Sequence, residues 1–169
     1  SAAAVATMAM PTSLSSSSYA KQWTLDVFLN FRGMDTRNFA GNLYKALFEK
    51  GISTFMDDEN LMKGEEIAQA AIKESEIAIV IFSKNYASSR FCLDELVMIM
   101  NCLERIEDYK VLTVFYEVTP ADVLHQIGTV ENALAKHETR ISENGKVQKW
   151  KSALKQAANR RGWVSEEYG

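Results

Sequence analysis

Residues 77–82 constrain the fold most strongly, because they read Ile-Ala-Ile-Val-Ile-Phe and contain no polar side chain. A strand of this composition is apolar on both faces, which is typical of a parallel strand that helices cover on either side. Residues 25–31, with the sequence LDVFLNF, are almost as apolar. Two strands of this kind predict a parallel sheet in the middle of an α/β domain.

Strand-like and helix-like segments alternate along the rest of the chain. Predicted strands cover residues 25–31, 52–55, 77–82, 111–116 and, as a short edge strand, 163–164. The helical segments between them lie near residues 39–47, 70–72, 88–104 and 122–158, the last one broken near Gly128 and at residues 143–145. Alternating βαβ units with short connections predict a doubly wound sheet with helices on both faces.

The composition excludes several classes of protein. An apolar share of 47% in 169 residues suits one domain with a sizeable core. No apolar stretch approaches the roughly 18–20 residues that span a bilayer, so no membrane partner is expected. A net charge of −3 gives no general attraction to phosphate, which argues against a nucleic-acid partner. With only 2 cysteines, a disulfide framework and a four-cysteine zinc site are excluded.

Residues 1–22 are rich in Ser and Ala and carry a single charge, that of Lys21. Such a segment buries too little apolar surface to offset the entropy lost on ordering. We therefore expect a disordered tail over residues 1–22 and a folded domain over residues 23–165. A plastid transit peptide is the alternative for this Ser-rich, acid-free segment.

Charge is unevenly distributed along the domain. Residues 57–76 carry seven acids and two lysines, whereas residues 136–161 are rich in Lys and Arg. One interpretation is two solvated faces. The other is a protomer with opposite patches on its two ends, which favours head-to-tail contacts between copies.

Familiar enzyme signatures are missing from the chain. It has no G-x-G-x-x-G sequence and no Walker A sequence. His125 and His137 are too far apart for a helical zinc pair, so both are expected on the surface and no metal site is predicted. A response-regulator receiver is rejected because its acidic pair follows the first strand, whereas Asp57 and Asp58 follow the second.

Four segments agree in order and spacing with one known family. They are FLNFRGMDTR at residues 28–37, GISTFMDD at 51–58 with KGEEI at 63–67, IFSKNYASSRFCLDEL at 81–96, and VFYEVTPADV at 114–123. Together they resemble the plant Toll/interleukin-1 receptor (TIR) domain, the signalling module of many plant intracellular immune receptors. The resemblance extends over residues 23–164, nearly the whole predicted domain.

The resemblance implies a flavodoxin-like fold with five parallel strands and an NAD⁺ nucleosidase that works when self-associated. NAD⁺ would be the substrate, no cofactor would be needed, and the partners would be other TIR domains, of the same or another kind. It implies the cytoplasm or the nucleus as the location. The catalytic residue that it implies is Glu95. The substrate-binding residues that it implies are Phe31, Arg32, Gly33, Asp57, Phe91 and Cys92.

The helical pattern of residues 88–104 permits this role for Glu95. Its core stripe comprises Leu93, Leu96, Val97, Met100 and Leu103, and Glu95 falls well off that stripe. A carboxylate beside the ribose can stabilise the positive charge that builds up when the nicotinamide–ribose bond breaks.

Three neighbouring residues have two interpretations each. Arg32 could contact a phosphate of the dinucleotide or form a surface ion pair. Phe91 is expected in the core at the start of the helix, the alternative being stacking on a ligand ring. Cys92 is expected to be a small packed residue rather than a nucleophile.

Some positions depart from the family pattern. Asn30 and Met34 replace a usual Ser and Glu, and Gly41-Asn42 replaces a Ser-His pair on a self-association surface. These departures support a second hypothesis, a non-enzymatic adaptor that signals by docking of TIR domains. Binding of nucleic acid through the basic stretch at residues 136–161 is a third and weaker option.

Overall fold

The computed structural model describes residues 2–9, 22–56, 64–141 and 145–165. They form one five-stranded sheet with helices on both faces. The strands are β1 (Leu25–Asn30), β2 (Thr54–Met56), β3 (Ser75–Phe82), β4 (Lys110–Phe115) and β5 (Trp163–Val164). The helices are α1 (Ala2–Met8), α2 (Gly33–Glu49), α3 (Glu65–Glu74), α4 (Arg90–Arg105), α5 (Pro120–Leu124), α6 (Thr129–Arg140) and α7 (Lys146–Ala158), with a 3-10 turn at Tyr86–Ser88.

The strand order is β2-β1-β3-β4-β5 and every pair is parallel. The chain runs outward from β1 to β2 and then returns across β1 to β3. In doubly wound sheets, this reversal opens a crevice between the carboxyl ends of the two strands on either side of it. The crevice between β1 and β3 is therefore the place where the topology favours a binding site. The predicted flavodoxin-like fold is confirmed.

The central strand β3 is buried on both faces, as its sequence predicts. Ile77, Ile79 and Ile81 pack in the cluster beneath α2, and their exposed fractions are 3% or less. The alternating residues of β3 face the opposite cluster, which α3, α4, α6 and α7 cover, and they are Ala78, Val80 and Phe82. Burial of residues 77–82 on both faces fixes the register of the strand, because a slip of one residue would exchange the two faces.

The predicted strands are all present, with ends displaced by at most two residues. The predicted breaks in the last helical segment are found in part: α5 and α6 are separated at Gly128, which has a φ of 63°. Residues 142–144 lie outside the described residues. The prediction for His137 is wrong, since its ring is buried 5.0 Å from that of Trp150 and its Nε2 lies 2.9 Å from the carbonyl oxygen of Ala87.

The expectation of a disordered tail is wrong for residues 2–9. Helix α1 lies within this segment, and Val5, Ala6 and Ala9 are buried in the same cluster as Leu43 and Leu47 of α2. Small side chains let a short helix approach the layer beneath it closely, which the sequence composition alone did not indicate. Residue 1 and residues 10–21 of the predicted tail lie outside the described residues.

Within the described ranges, no helix has the length and apolar character needed to cross a membrane.

We expect Val5→Asp to lower the free energy of unfolding by about 2 kcal/mol, because Val5 is 1% exposed against the core. Ala3→Asp is the matched control, since Ala3 is exposed on the same helix. Urea denaturation of both variants and of the wild type checks the difference. Equal stability of the two variants would contradict the packing of α1 on the domain.

Candidate functional site

Asn30 ends β1 at the carboxyl edge of the sheet and is completely buried. Its Nδ2 donates to the Oε1 atom of Glu95 over 3.0 Å and to the carbonyl oxygen of Cys92 over 3.3 Å. Its Oδ1 accepts a short hydrogen bond from the hydroxyl of Tyr86. One amide thus joins the first strand to the 3-10 turn and to the first turns of α4.

Tyr86 is the other buried member of this network. Its ring packs edge-on against Phe82 at 4.9 Å, and its hydroxyl also lies 3.1 Å from the carbonyl oxygen of Cys92. Burial, together with the nearby Cys92 and Glu95, raises the pKa of Tyr86 well above its ordinary value. The phenol therefore keeps its proton at physiological pH and acts as a hydrogen-bond donor.

The start of α4 is fixed by backbone and side-chain contacts. Ser89 caps the helix, because its Oγ accepts from the backbone N–H of Cys92 over 3.2 Å. The thiol of Cys92 donates to the carbonyl oxygen of Phe31 over 3.3 Å. These contacts hold the first turn of α4 against the end of β1, and Glu95 follows one turn later.

An open cleft lies between α3 and α4, and Glu95 is on its wall. It combines acidic groups with apolar surface, and its lining residues are Glu65, Ala68, Gln69, Ile72, Phe91, Asp94, Glu95 and Met98. Phe91 is 63% exposed at its rim. A cleft with several carboxylates, an aromatic ring and a thioether suits a ligand that is aromatic and carries positive charge.

A second cluster stabilises the loops beside the site. The Oδ2 atom of Asp35 accepts hydrogen bonds from the hydroxyl of Ser83 at 2.8 Å and from the backbone N–H of Asn85 at 2.7 Å. Arg32 forms an ion pair with its Oδ1 atom at 3.1 Å. Burial alone would raise the pKa of Asp35, but these hydrogen bonds and the charge of Arg32 hold it below its usual value.

The structure separates the predicted substrate-binding residues. Among the described residues, only Phe91 of that set lines the cleft with Glu95. Phe31 and Gly33 are buried where β1 leads into α2, and Arg32 forms an ion pair with Asp35, as in one of its two interpretations, but the pair is partly buried rather than on the surface. Asp57 lies outside the described residues.

Two predictions for the start of α4 have opposite outcomes. Cys92 is 4% exposed and packed, as expected. The expected core position of Phe91 is wrong, because its side chain is 63% exposed and lines the cleft.

Sequence reasoning missed other residues of the site. Asp94 and Met98 share one face of α4 with the predicted Phe91 and Glu95 at i, i+3, i+4 and i+7 spacing, which a helical pattern search on the non-core face would have found. Asn30 was noted only as a departure from the family pattern. No group of three metal-ligating side chains is present in the part of the chain that the structure describes.

A family model for the TIR domain matches residues 24–168, which is most of the chain. The chain belongs to the TIR family. The resemblance stated on sequence motifs is thereby confirmed.

Curated relatives of this TIR domain include plant resistance proteins. It is 46% identical over 154 residues to TMV resistance protein N of Nicotiana glutinosa, an alignment that spans 88% of this chain and 13% of that protein. It is 45% identical over 150 residues to disease resistance protein RUN1 of Vitis rotundifolia, spanning 85% of this chain and 11% of that protein. The chain thus corresponds to a small part of each relative.

A solved structure shows the same fold. The TIR domains in the structure of the activated Roq1 resistosome directly recognizing the pathogen effector XopQ match with a TM-score of 0.77 and 46% sequence identity. The match covers 83% of this chain and 87% of that chain.

We expect Asp35→Asn to reduce the free energy of unfolding by about 1 kcal/mol at neutral pH, because it removes the charge on which several hydrogen bonds converge. The pKa of Asp35 is lower in the folded than in the unfolded state, so its stabilisation is present above about pH 4 and is lost as the pH falls through the folded-state value. Denaturation at several pH values measures this difference. The exposed Asp108→Asn is the control, and a deficit of Asp35→Asn that stays constant into acid would contradict the account.

Proposed function

We propose that this TIR domain is an NAD⁺ nucleosidase that cleaves the nicotinamide–ribose bond, with Glu95 as its catalytic residue. The observation that carries the proposal is the position of Glu95, on the wall of a cleft and bonded to Asn30 at the carboxyl end of β1. Ligands of doubly wound sheets bind at this end, near the point where the strand order reverses. A second support is the family, since nucleosidase activity is implied by the resemblance.

The chemistry needs only one carboxylate. When the bond between the ribose C1′ and the pyridinium nitrogen breaks, the electron pair stays on nitrogen, so nicotinamide leaves as a neutral molecule without needing a proton. Positive charge then develops on the sugar, and an adjacent carboxylate stabilises it. Water adds to C1′ and releases a proton, which yields ADP-ribose as the hydrolysis product.

The cleft also suits recognition of NAD⁺. The nicotinamide ring of NAD⁺ carries a positive charge, and Glu65 and Glu95 supply negative charge around the cleft. Asp94 also lines the cleft, but it is paired with Lys146. Phe91 offers an exposed ring on which a cationic ring can stack. These residues give the dinucleotide a preferred orientation, with its nicotinamide end toward Glu95.

We further propose that activity requires contacts between copies. The related Roq1 TIR domains are part of an activated resistosome. Lys149 and Lys155 on α7 are exposed, as are Glu65 and Glu66 on α3, so opposite charges lie on separate elements. Two other lysines are already paired within the protomer, Lys146 with Asp94 and Lys151 with Glu138. These exposed charges of opposite sign favour head-to-tail contacts between copies.

In the whole protein, this module would act in plant immune signalling, as the names of its resistance-protein relatives suggest.

We expect Glu95→Gln to abolish NAD⁺ turnover, because the amide keeps the size of the side chain but cannot balance the developing positive charge. Glu104→Gln is the matched control, since Glu104 is exposed near the other end of the same helix. Release of nicotinamide is measured by chromatography across a series of protein concentrations. The wild-type rate per molecule is expected to rise with concentration.

Equal turnover by Glu95→Gln and the wild type would contradict the catalytic role. No turnover by wild-type protein at any concentration, together with retained binding to another TIR domain, would favour the non-enzymatic adaptor.

We expect Phe91→Ala to raise the KM for NAD⁺ by roughly tenfold, which corresponds to the loss of one aromatic contact. Because Phe91 is 63% exposed, the variant should unfold at nearly the wild-type temperature. Phe48→Ala is the control, since Phe48 is 72% exposed on α2, away from the cleft. Steady-state kinetics separates KM from kcat, and an unchanged KM in Phe91→Ala would argue against stacking.

A further inference from the structure

We propose that Asn30 is a positioning residue for Glu95, and that the Tyr86 hydroxyl sets the orientation of the Asn30 amide. This inference rests on the proposed function, because it concerns how the catalytic carboxylate is aimed. Neither residue lines the cleft, so both act through Glu95 rather than on the substrate. The proposed role is specific to this chain, in which Asn30 replaces the usual Ser of the family pattern.

The two ends of the Asn30 amide face groups of opposite hydrogen-bonding character. On one side lie two acceptors, the carboxylate of Glu95 and the carbonyl oxygen of Cys92. On the other side lies the Tyr86 hydroxyl, which remains protonated in its buried site. A flipped amide would place its oxygen against two acceptors, so only the observed orientation satisfies all partners.

Burial makes this arrangement stiff. Asn30 is 0% exposed and Tyr86 is 2% exposed, so water cannot replace a lost hydrogen bond without rearrangement of the core. Both residues are held by regular structure, Asn30 by its pairing with Val80 of β3 and Tyr86 by its contact with Phe82. A carboxylate held by such a network keeps its direction while substrate enters.

The first test removes only the hydroxyl that orients the amide. In Tyr86→Phe the ring can still pack on Phe82, but Asn30 loses its donor. We expect kcat for NAD⁺ to fall roughly 10–100-fold with little change in KM, because the catalytic group is misoriented while the residues that bind substrate are unchanged. Tyr109→Phe is the matched control, because Tyr109 is also buried in the same core cluster and donates to a backbone carbonyl, that of Ile72.

Comparison of the two tyrosine variants separates positioning from stability. The Tyr86 hydroxyl contacts Asn30 and the Cys92 carbonyl, and the Tyr109 hydroxyl contacts the Ile72 carbonyl, so both variants lose buried hydrogen bonding and should melt at a lower temperature than the wild type. Only Tyr86→Phe should lose kcat. Equal kcat values in the two variants, at equal stability, would overturn the inference.

The second test uses the shape-conserving Asn30→Asp. An ionised carboxylate there would face Glu95 and the Cys92 carbonyl, so activity should fall at alkaline pH. When the introduced carboxylate and Glu95 together take up one proton, a hydrogen-bond donor toward Glu95 is restored. Activity should therefore recover as the pH falls. In the described part of the chain, the other titratable groups near Glu95 are Tyr86, Cys92 and, around the cleft, Glu65 and Asp94, and both proteins contain them all.

The pH profile of Asn30→Asp relative to the wild type is therefore the deciding readout. A ratio of variant to wild-type kcat that rises as the pH is lowered supports positioning through the Nδ2 donor. A ratio that stays flat, with a folded variant by circular dichroism, would overturn it.

The outcomes of these experiments distinguish a failure of the positioning role from a failure of the proposed function. Turnover retained by Glu95→Gln, or absent from the wild type, refutes the nucleosidase and with it the positioning role. Turnover that depends on Glu95 but not on Asn30 and Tyr86 refutes the positioning role alone.

Discussion

The buried amide of Asn30 is the contact on which the arrangement of the site depends. It ties the end of β1 to the 3-10 turn through Tyr86 and to α4 through the Cys92 carbonyl and Glu95. Each of these partners is a group that must be satisfied once it is removed from water. The same hydrogen bonds that remove this cost also fix where the Glu95 carboxylate lies relative to the cleft between α3 and α4.

The sheet could be predicted from the sequence because its strands are buried on both faces. The run from Ile77 to Phe82 has no polar residue and becomes the central strand, covered on either side. Helix α1 could not be predicted in this way. Its Ala-rich sequence shows no amphipathic pattern, and it packs against α2 in the cluster that contains Leu43 and Leu47, which is a tertiary effect.

The site was predicted less completely than the fold. Glu95 was found through the family motif, and its place off the core stripe of α4 was clear from helical spacing. The interpretation of Phe91 as a core residue failed because its side chain is 63% exposed and lines the cleft between α3 and α4. The partners of Asn30 could not be predicted either, since they lie 56 to 65 positions away along the chain.

The central claim is that Glu95 meets the ribose of a bound dinucleotide. The most direct measurement is a crystal structure of the self-associated domain with a non-hydrolysable NAD⁺ analogue. We expect the nicotinamide end between α3 and α4, with the ribose hydroxyls within hydrogen-bond distance of Glu95 and with the contact from Glu95 to Asn30 preserved. An analogue bound away from this cleft, or a Glu95 carboxylate turned from the ribose, would contradict the account.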